Sequence, residues 1–150
     1  MTAILLSVRP VYASGLLAGT KTAEVRRRFP EQSAGTTIYV YSSTPERAVV
    51  GTLRLDGIDR PAVGDVWQQY EHRIQISRPA LEEYLADCEH AAILRVSKPV
   101  VWAAPMPLRQ LRDVVGVEPP QSFRYLDDGH RDAILRVHTD QRSEDLALAL

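Results

Sequence analysis

Residues Gly19 to Arg28 read GTKTAEVRRR, a charged stretch that directly follows the apolar run from Tyr12 to Ala18. Lys21 is one of two lysines in a chain with sixteen arginines. An ammonium just past a glycine turn, beside a carboxylate and a run of guanidinium groups, can bind a phosphate or act as a nucleophile. The simpler alternative is a solvated turn that leads into a charged edge strand.

The residues after this turn alternate in character, which is typical of a strand with two different faces. A strand over residues 22–29 places Glu24 and Arg26 on one face. Lys21 and Arg26 could then hold a phosphate together, Arg26 bidentately and Lys21 as a point charge. Glu24 would accept a hydrogen bond from a base amine or hold the two cations in place. The alternative is a Glu24–Arg26 surface pair worth at most ~1 kcal/mol.

The rest of the chain mixes strand and helix patterns, with several glycines in the strands. The patterns predict further strands at residues 3–8, 37–41, 48–58 and 91–101, the last interrupted at Pro99, and helices at residues 11–17, 65–72, 77–86 and 108–114. This pattern predicts an α+β fold, a small and mostly antiparallel curved sheet or β-barrel with flanking helices. Residues 119–126 are too rigid and polar for the core, and residues 130–138 could add a strand or a short helix.

Length and composition favour one ordinary globular domain. We expect the domain to span residues 1–138 and residues 139–150 to form a mobile tail. The net charge of −1 excludes a global basic field, so any nucleic-acid contact requires a local patch. No apolar run approaches the length of a membrane span, and no signal sequence is evident, so we expect a cytoplasmic protein with no membrane partner.

The sequence offers no metal or disulfide framework. Cys88 is the only cysteine, which excludes an internal disulfide, and we expect it to be a small buried hydrophobe. The four histidines have no metal-ligand spacing. We therefore expect no metal and no cofactor, and the sequence leaves the oligomeric state open.

The order Gly19, Lys21, Glu24 and Arg26 resembles the G-x-K-x-x-E-x-R signature of the ASCH domain family, part of the PUA-like superfamily. The first strand and the helix running into Gly19 also fit this family. Further similarity lies in the turn at residues 41–45 and in residues 119–126, which are similar to a closing motif of one bacterial branch.

This resemblance implies a compact PUA-like β-barrel whose Lys-Glu-Arg segment lines a cleft. It also implies a role with RNA: binding, processing or hydrolysis of modified nucleosides. One small bacterial branch removes the acetyl group from acetylated cytidine with a Lys, a Thr and a downstream acid. Lys21 matches that Lys, the Thr position holds Glu24, and Glu71 is the candidate acid. Glu24 in place of Thr favours binding over that hydrolysis.

We therefore expect a cleft that binds RNA, a nucleotide or a modified nucleoside. The alternatives are an enzyme, either an amidohydrolase on acetylated cytidine or a ribonuclease, and a protein-interaction domain. As an enzyme it would use Lys21 and Glu24 as catalytic residues. The expected ligand-binding residues are Lys21, Glu24, Arg26, Tyr41, Ser42, Ser43, Gln121, Ser122 and Phe123. Tyr41 and Phe123 could equally be core residues, and the serines and Gln121 could be turn residues or caps.

Overall fold

The computed structural model describes the backbone of residues 2–149 and the side chains of residues 2–138. The strands are β1 (Ala3–Val8), β2 (Ala23–Arg26), β3 (Thr37–Ser42), β4 (Ala48–Asp59), β5 (Ala92–Pro107) and β6 (Phe123–Leu126). The helices are α1 (Pro10–Ala18), α2 (Val66–Ile74, after a 3₁₀ turn at Val63–Asp65), α3 (Arg78–Tyr84), α4 (Leu108–Gln110, continued by a π turn at Leu111–Val115) and α5 (Asp128–Ala149).

The strands form one sheet in the order β2-β5-β4-β3-β1-β6. Only β1 and β3 pair in parallel, so the predicted α+β architecture with a mostly antiparallel sheet is confirmed. The sheet curls into a half-barrel with flanking helices, in agreement with the predicted curved sheet or β-barrel, and β2 and β6 are its two edges. An opening therefore remains between the two edges of the sheet.

Three strand predictions need correction. β2 ends at Arg26 instead of continuing to Phe29, because only Ala23 to Arg26 pair with β5. β5 runs through Pro99 without a break, since Lys98 takes a positive φ of 50° and the pairing with β4 shifts register. Strand β6 lies in the segment that we expected to be too rigid and polar for the core, and it pairs with β1.

The turn between α1 and β2 is fixed by Gly19. This residue ends α1 with φ 80°, a left-handed conformation that costs glycine little. The following backbone N–H of Lys21 donates to the Gly15 carbonyl at 3.0 Å, which folds the chain back under the helix. The turn thereby directs the Lys21 side chain into the protein instead of into solvent.

Apolar side chains form three clusters around the sheet. One lies between the sheet and α1, and a second lies between the sheet and the helices α4 and α5. The third packs α2 and α3 against β2 and β5, and it includes Ala23 and Val25. β2 therefore buries its apolar face under α2 and α3, which leaves Glu24 and Arg26 on the opposite face, as the alternation predicts.

The C-terminal part of the chain forms one long helix, α5. Residues 130–138, which were expected to form a strand or a short helix, belong to this longer helix, and its backbone continues to Ala149. The side chains of residues 139–150 lie outside the described part, so the mobility of this tail remains a prediction. No helix among the described residues is long and apolar enough to cross a membrane.

Hydrogen bonds between polar side chains connect α2 to the central strands. The Tyr70 hydroxyl donates to Asp59 at 2.6 Å, and Arg95 donates to the same carboxylate at 3.1 Å. Burial, and then the hydrogen bond and charge of Asp59, raise the pKa of Tyr70 to about 12. The folded protein therefore retains this proton at pH values at which the unfolded chain, with a tyrosine pKa near 10, has released it.

We predict that Tyr70→Phe lowers the free energy of unfolding by about 2 kcal/mol near pH 8, because the charged Asp59 carboxylate loses the hydrogen bond that the Tyr70 hydroxyl donates. The contribution of the Tyr70 hydroxyl is complete below pH 10 and is lost as the pH rises toward 12. Urea unfolding of the unmodified chain and of Tyr70→Phe, at pH 8 and near pH 12, should show that the difference between their free energies of unfolding decreases as the pH rises. A difference in the free energy of unfolding that does not change with pH would contradict this role of the Tyr70 hydroxyl.

Candidate nucleic-acid interface

A cleft of about 930 Å³ opens beside β2, on the face that carries Glu24 and Arg26. Its walls come from the end of β1, from α3, from α4 and from the loop before β6. The turn between β3 and β4 supplies a further wall. The half-barrel positions the cleft, because the end of β1 and the edge strand β2 both border the opening where the sheet does not close.

Lys21 lies beneath this cleft and is completely buried. Its Nζ donates to the Ile74 carbonyl at the end of α2, and it lies 3.5 Å from Glu24 Oε1 and 4.9 Å from the centre of the Tyr12 ring. Burial lowers the pKa of the Lys21 ammonium, and the Glu24 carboxylate opposes that shift. Lys21 therefore supports the floor of the cleft instead of offering its ammonium to solvent.

Glu24 joins Lys21 to Arg26. Glu24 Oε2 accepts from Arg26 Nη2 at 3.0 Å, and Oε1 faces Lys21 and the backbone N–H of Val25. The same Arg26 nitrogen donates to the Ser7 carbonyl at 2.9 Å. Arg26 thus spans the opening between β2 and β1.

These three charged side chains, which we call the buried triad (Lys21, Glu24 and Arg26), are not the surface pair considered above. The side chains are 0%, 5% and 13% exposed in that order. Two cations and one carboxylate leave an excess of one positive charge below the cleft. At low solvent exposure that charge is weakly screened, so it favours an anion in the cleft.

The other predicted site residues divide between the cleft and the core. Tyr41, Ser43 and Gln121 line the cleft together with Glu24 and Arg26. The Tyr41 side chain is otherwise packed in the core, and burial raises the pKa of its hydroxyl. Tyr41 is therefore both a core residue and part of the cleft wall.

The structure places four predicted residues away from the cleft wall. Ser42 is fully buried, and its hydroxyl has no hydrogen-bond partner among the described residues. Ser122 lines a neighbouring groove, and Phe123 packs against Phe29 with ring centres 4.5 Å apart. Glu71 is exposed on α2 and lies 3.3 Å from His72.

Several cleft residues were missed by the sequence analysis. Arg9 follows β1, Arg47 follows the turn after β3, and Arg112 lies in the π turn after α4. Tyr12 and Tyr84 add aromatic surface. Arg47 has a positive φ of 51°, which the sequence does not indicate. No sequence spacing connects the other missed residues either.

The basic side chains of the cleft differ in their partners. Arg112 donates to Glu118 at 2.9 Å, whereas Arg47 donates only to the Thr44 hydroxyl at 3.3 Å. Arg9 is exposed and has no ion pair to a described side chain. Arg9 and Arg47 are therefore free to bind an anionic ligand. No group of three or more potential metal ligands occurs within residues 2–138.

The model of the ASCH domain matches residues 6–100. The chain belongs to the ASCH domain family. A relative from Zymomonas mobilis, named an ASCH domain-containing ribonuclease, is 30% identical over 81% of this chain and 82% of its own. A crystal structure of an ASCH protein from the same species has a TM-score of 0.85 at 25% identity and covers 89% of this chain and 94% of its own.

A more distant structure shares the fold. Human THYN1 protein, solved in complex with DNA containing 5-methylcytosine, matches with a TM-score of 0.59 at 12% identity. The match covers 92% of this chain and 98% of the human protein. At this identity the likeness shows the fold alone.

The burial of Lys21 changes the expected effect of removing it. In a solvated turn Lys21 would contribute little to stability, whereas the structure buries it between Glu24 and the Ile74 carbonyl. We predict that Lys21→Met lowers the free energy of unfolding by about 3 kcal/mol, because a buried charge network loses one partner.

The chain supplies a matched control for this variant. Lys98→Met makes the same change at the other lysine, which is exposed, and we expect a change within about 0.5 kcal/mol. Urea unfolding measures both. Equal stability of the two variants would show that the buried triad does not support the fold.

Proposed function

We propose that the cleft binds single-stranded RNA or a nucleotide segment of it. The main support is the combination of two arginines without carboxylate partners, Arg9 and Arg47, with the positively charged buried triad on one concave surface. The chain as a whole carries a net charge of −1, so this positive charge is a local feature of the cleft. Guanidinium groups bind phosphate in a planar, bidentate manner.

The cleft also has groups suited to a base. Its volume lies within the range of small-molecule binding sites. Gln121 and Ser43 can donate and accept hydrogen bonds, and Glu24 can accept one from a base amine. Tyr12 and Tyr84 offer aromatic surface on which a base can stack. Unpaired bases present such edges and faces, which favours a single strand over a duplex.

One family relative and one protein of the same fold have names that involve nucleic acid. The Zymomonas mobilis relative is named a ribonuclease, and THYN1 was solved with DNA. The acetylcytidine alternative has less support, because Lys21, which matches the lysine of that branch, is buried beneath the cleft. Cleavage of the bound RNA is the second candidate function, and the name of that relative is the observation that favours it.

We predict that the double variant Arg9→Gln/Arg47→Gln binds a labelled single-stranded RNA octanucleotide about 25-fold more weakly at 0.1 M salt. For a single strand, each phosphate contact contributes about 0.7 to the slope of the logarithm of the binding constant against the logarithm of the salt concentration. Loss of two contacts should therefore reduce the magnitude of this slope by about 1.4. Fluorescence anisotropy at several salt concentrations measures both quantities.

The control removes the same charge elsewhere. Arg54 lies on β4 and Arg136 on α5, and both are exposed and outside the residues that line the cleft. Arg54→Gln/Arg136→Gln should bind like the unmodified chain. RNA binding in the cleft would be rejected if both double variants lost the same affinity for the octanucleotide, or if the unmodified chain did not bind it.

Gel electrophoresis of the octanucleotide after incubation tests the second candidate. Under the cleavage hypothesis, the unmodified chain and the control shorten the RNA, and Arg9→Gln/Arg47→Gln does so more slowly. Intact RNA under conditions in which it is bound would leave binding as the function and reject cleavage of this probe.

A further inference from the structure

Two shallow grooves continue the cleft along the surface. The first shares Arg26, Tyr84 and Gln121 with the cleft. The second shares Arg27, Arg28 and His90 with the first. Because each groove shares lining residues with the next, the cleft and the two grooves form one continuous path. We call the part outside the cleft, lined by Arg27, Arg28 and His90, the arginine track.

The arginines of the track lack the carboxylate partners of arginines elsewhere. Arg28 is exposed and makes no hydrogen bond or ion pair with a described residue. Arg27 donates to Cys88 Sγ at 3.4 Å and to the Ala86 carbonyl at 3.5 Å, neither of which neutralises its charge. Asp87 and Glu89 also line the first groove, but neither forms an ion pair with these arginines.

Several exposed arginines in other parts of the described chain have an acidic neighbour. Arg78 lies 3.1 Å from Glu82, and Arg109 lies 3.7 Å from Asp113. Arg60, at the far end of the second groove, lies 3.4 Å from Glu31. Arg27 and Arg28, which have no ion pair, therefore extend the positive charge of the cleft along the grooves.

Tyr84 stands at the junction of the cleft and the first groove. It is 42% exposed, so its ring is accessible to a ligand in either depression. A base that stacks on such a surface gains about 1–3 kcal/mol by the measure of alanine substitution. Gln121 lies at the same junction and offers an amide to a base edge or a phosphate.

We propose that a single RNA strand held in the cleft continues past Tyr84 and along the arginine track, where Arg27 and Arg28 bind its phosphates. This inference rests on the proposed function and extends it from one nucleotide-sized site to a path for several nucleotides. A positively charged groove with an aromatic platform is the usual arrangement for binding a single strand with little sequence preference.

Arg27 and Arg28 also have a simpler explanation. They directly follow the edge strand β2, and charged residues at a sheet edge prevent pairing with another chain. That role predicts aggregation of the variants and no effect on RNA affinity. Protection of the sheet edge does not explain why Tyr84 is exposed at the junction or why the grooves continue the cleft. A path for an RNA strand explains both features.

The test compares a long and a short ligand. The variant Arg27→Gln/Arg28→Gln is titrated with the labelled RNA octanucleotide by anisotropy and with an RNA dinucleotide by calorimetry. We expect affinity for the octanucleotide to fall about 25-fold at 0.1 M salt, with a salt slope lower by about 1.4. Affinity for the dinucleotide should not change, because it occupies only the cleft. Arg54→Gln/Arg136→Gln is again the matched control.

The possible results separate this inference from the proposed function. Unchanged affinity of Arg27→Gln/Arg28→Gln for the octanucleotide would overturn the arginine track while binding in the cleft survived. Equal weakening for both ligands, or equal weakening in the control, would also overturn it. If the unmodified chain bound neither ligand, both proposals would fail. Size-exclusion chromatography of each variant confirms that the compared proteins are folded and unaggregated.

Discussion

The buried triad of Lys21, Glu24 and Arg26 is the interaction on which the cleft depends. Lys21 fixes the end of α2, Arg26 reaches the Ser7 carbonyl of β1, and Glu24 joins the two cations. A charge network this deep requires each member, because an unpaired buried charge costs several kcal/mol. The same network gives the cleft an excess positive charge. The stability of the fold and the proposed ligand binding would therefore depend on the same three side chains.

The sequence was informative where local chemistry governs the structure. Alternation alone placed Glu24 and Arg26 opposite Ala23 and Val25, and the signature around Gly19 indicated the family and the α+β fold. The sequence did not show that Lys21 is buried, because a glycine turn does not fix the direction of a side chain two residues later. That direction depends on the backbone bond to Gly15 and on the position of α2.

The missed features are those created by distant parts of the chain. Strand β6 exists because the exposed edge of β1 provides hydrogen-bond partners, which outweighs the polar and proline-rich start of that segment. Arg9, Arg47 and Arg112 reach the cleft from three separate elements, so no spacing in the sequence connects them. Family resemblance indicated where the cleft lies but not which arginines around it lack acidic partners.

A crystal structure of the chain with a bound RNA dinucleotide is the most direct test of the account. We expect a phosphate oxygen about 3 Å from the guanidinium group of Arg9 or Arg47 and a base within reach of Glu24 and Gln121. We also expect Lys21 to remain buried and to keep its hydrogen bond to the Ile74 carbonyl. A dinucleotide bound elsewhere on the surface, or in direct contact with the Lys21 ammonium, would contradict it.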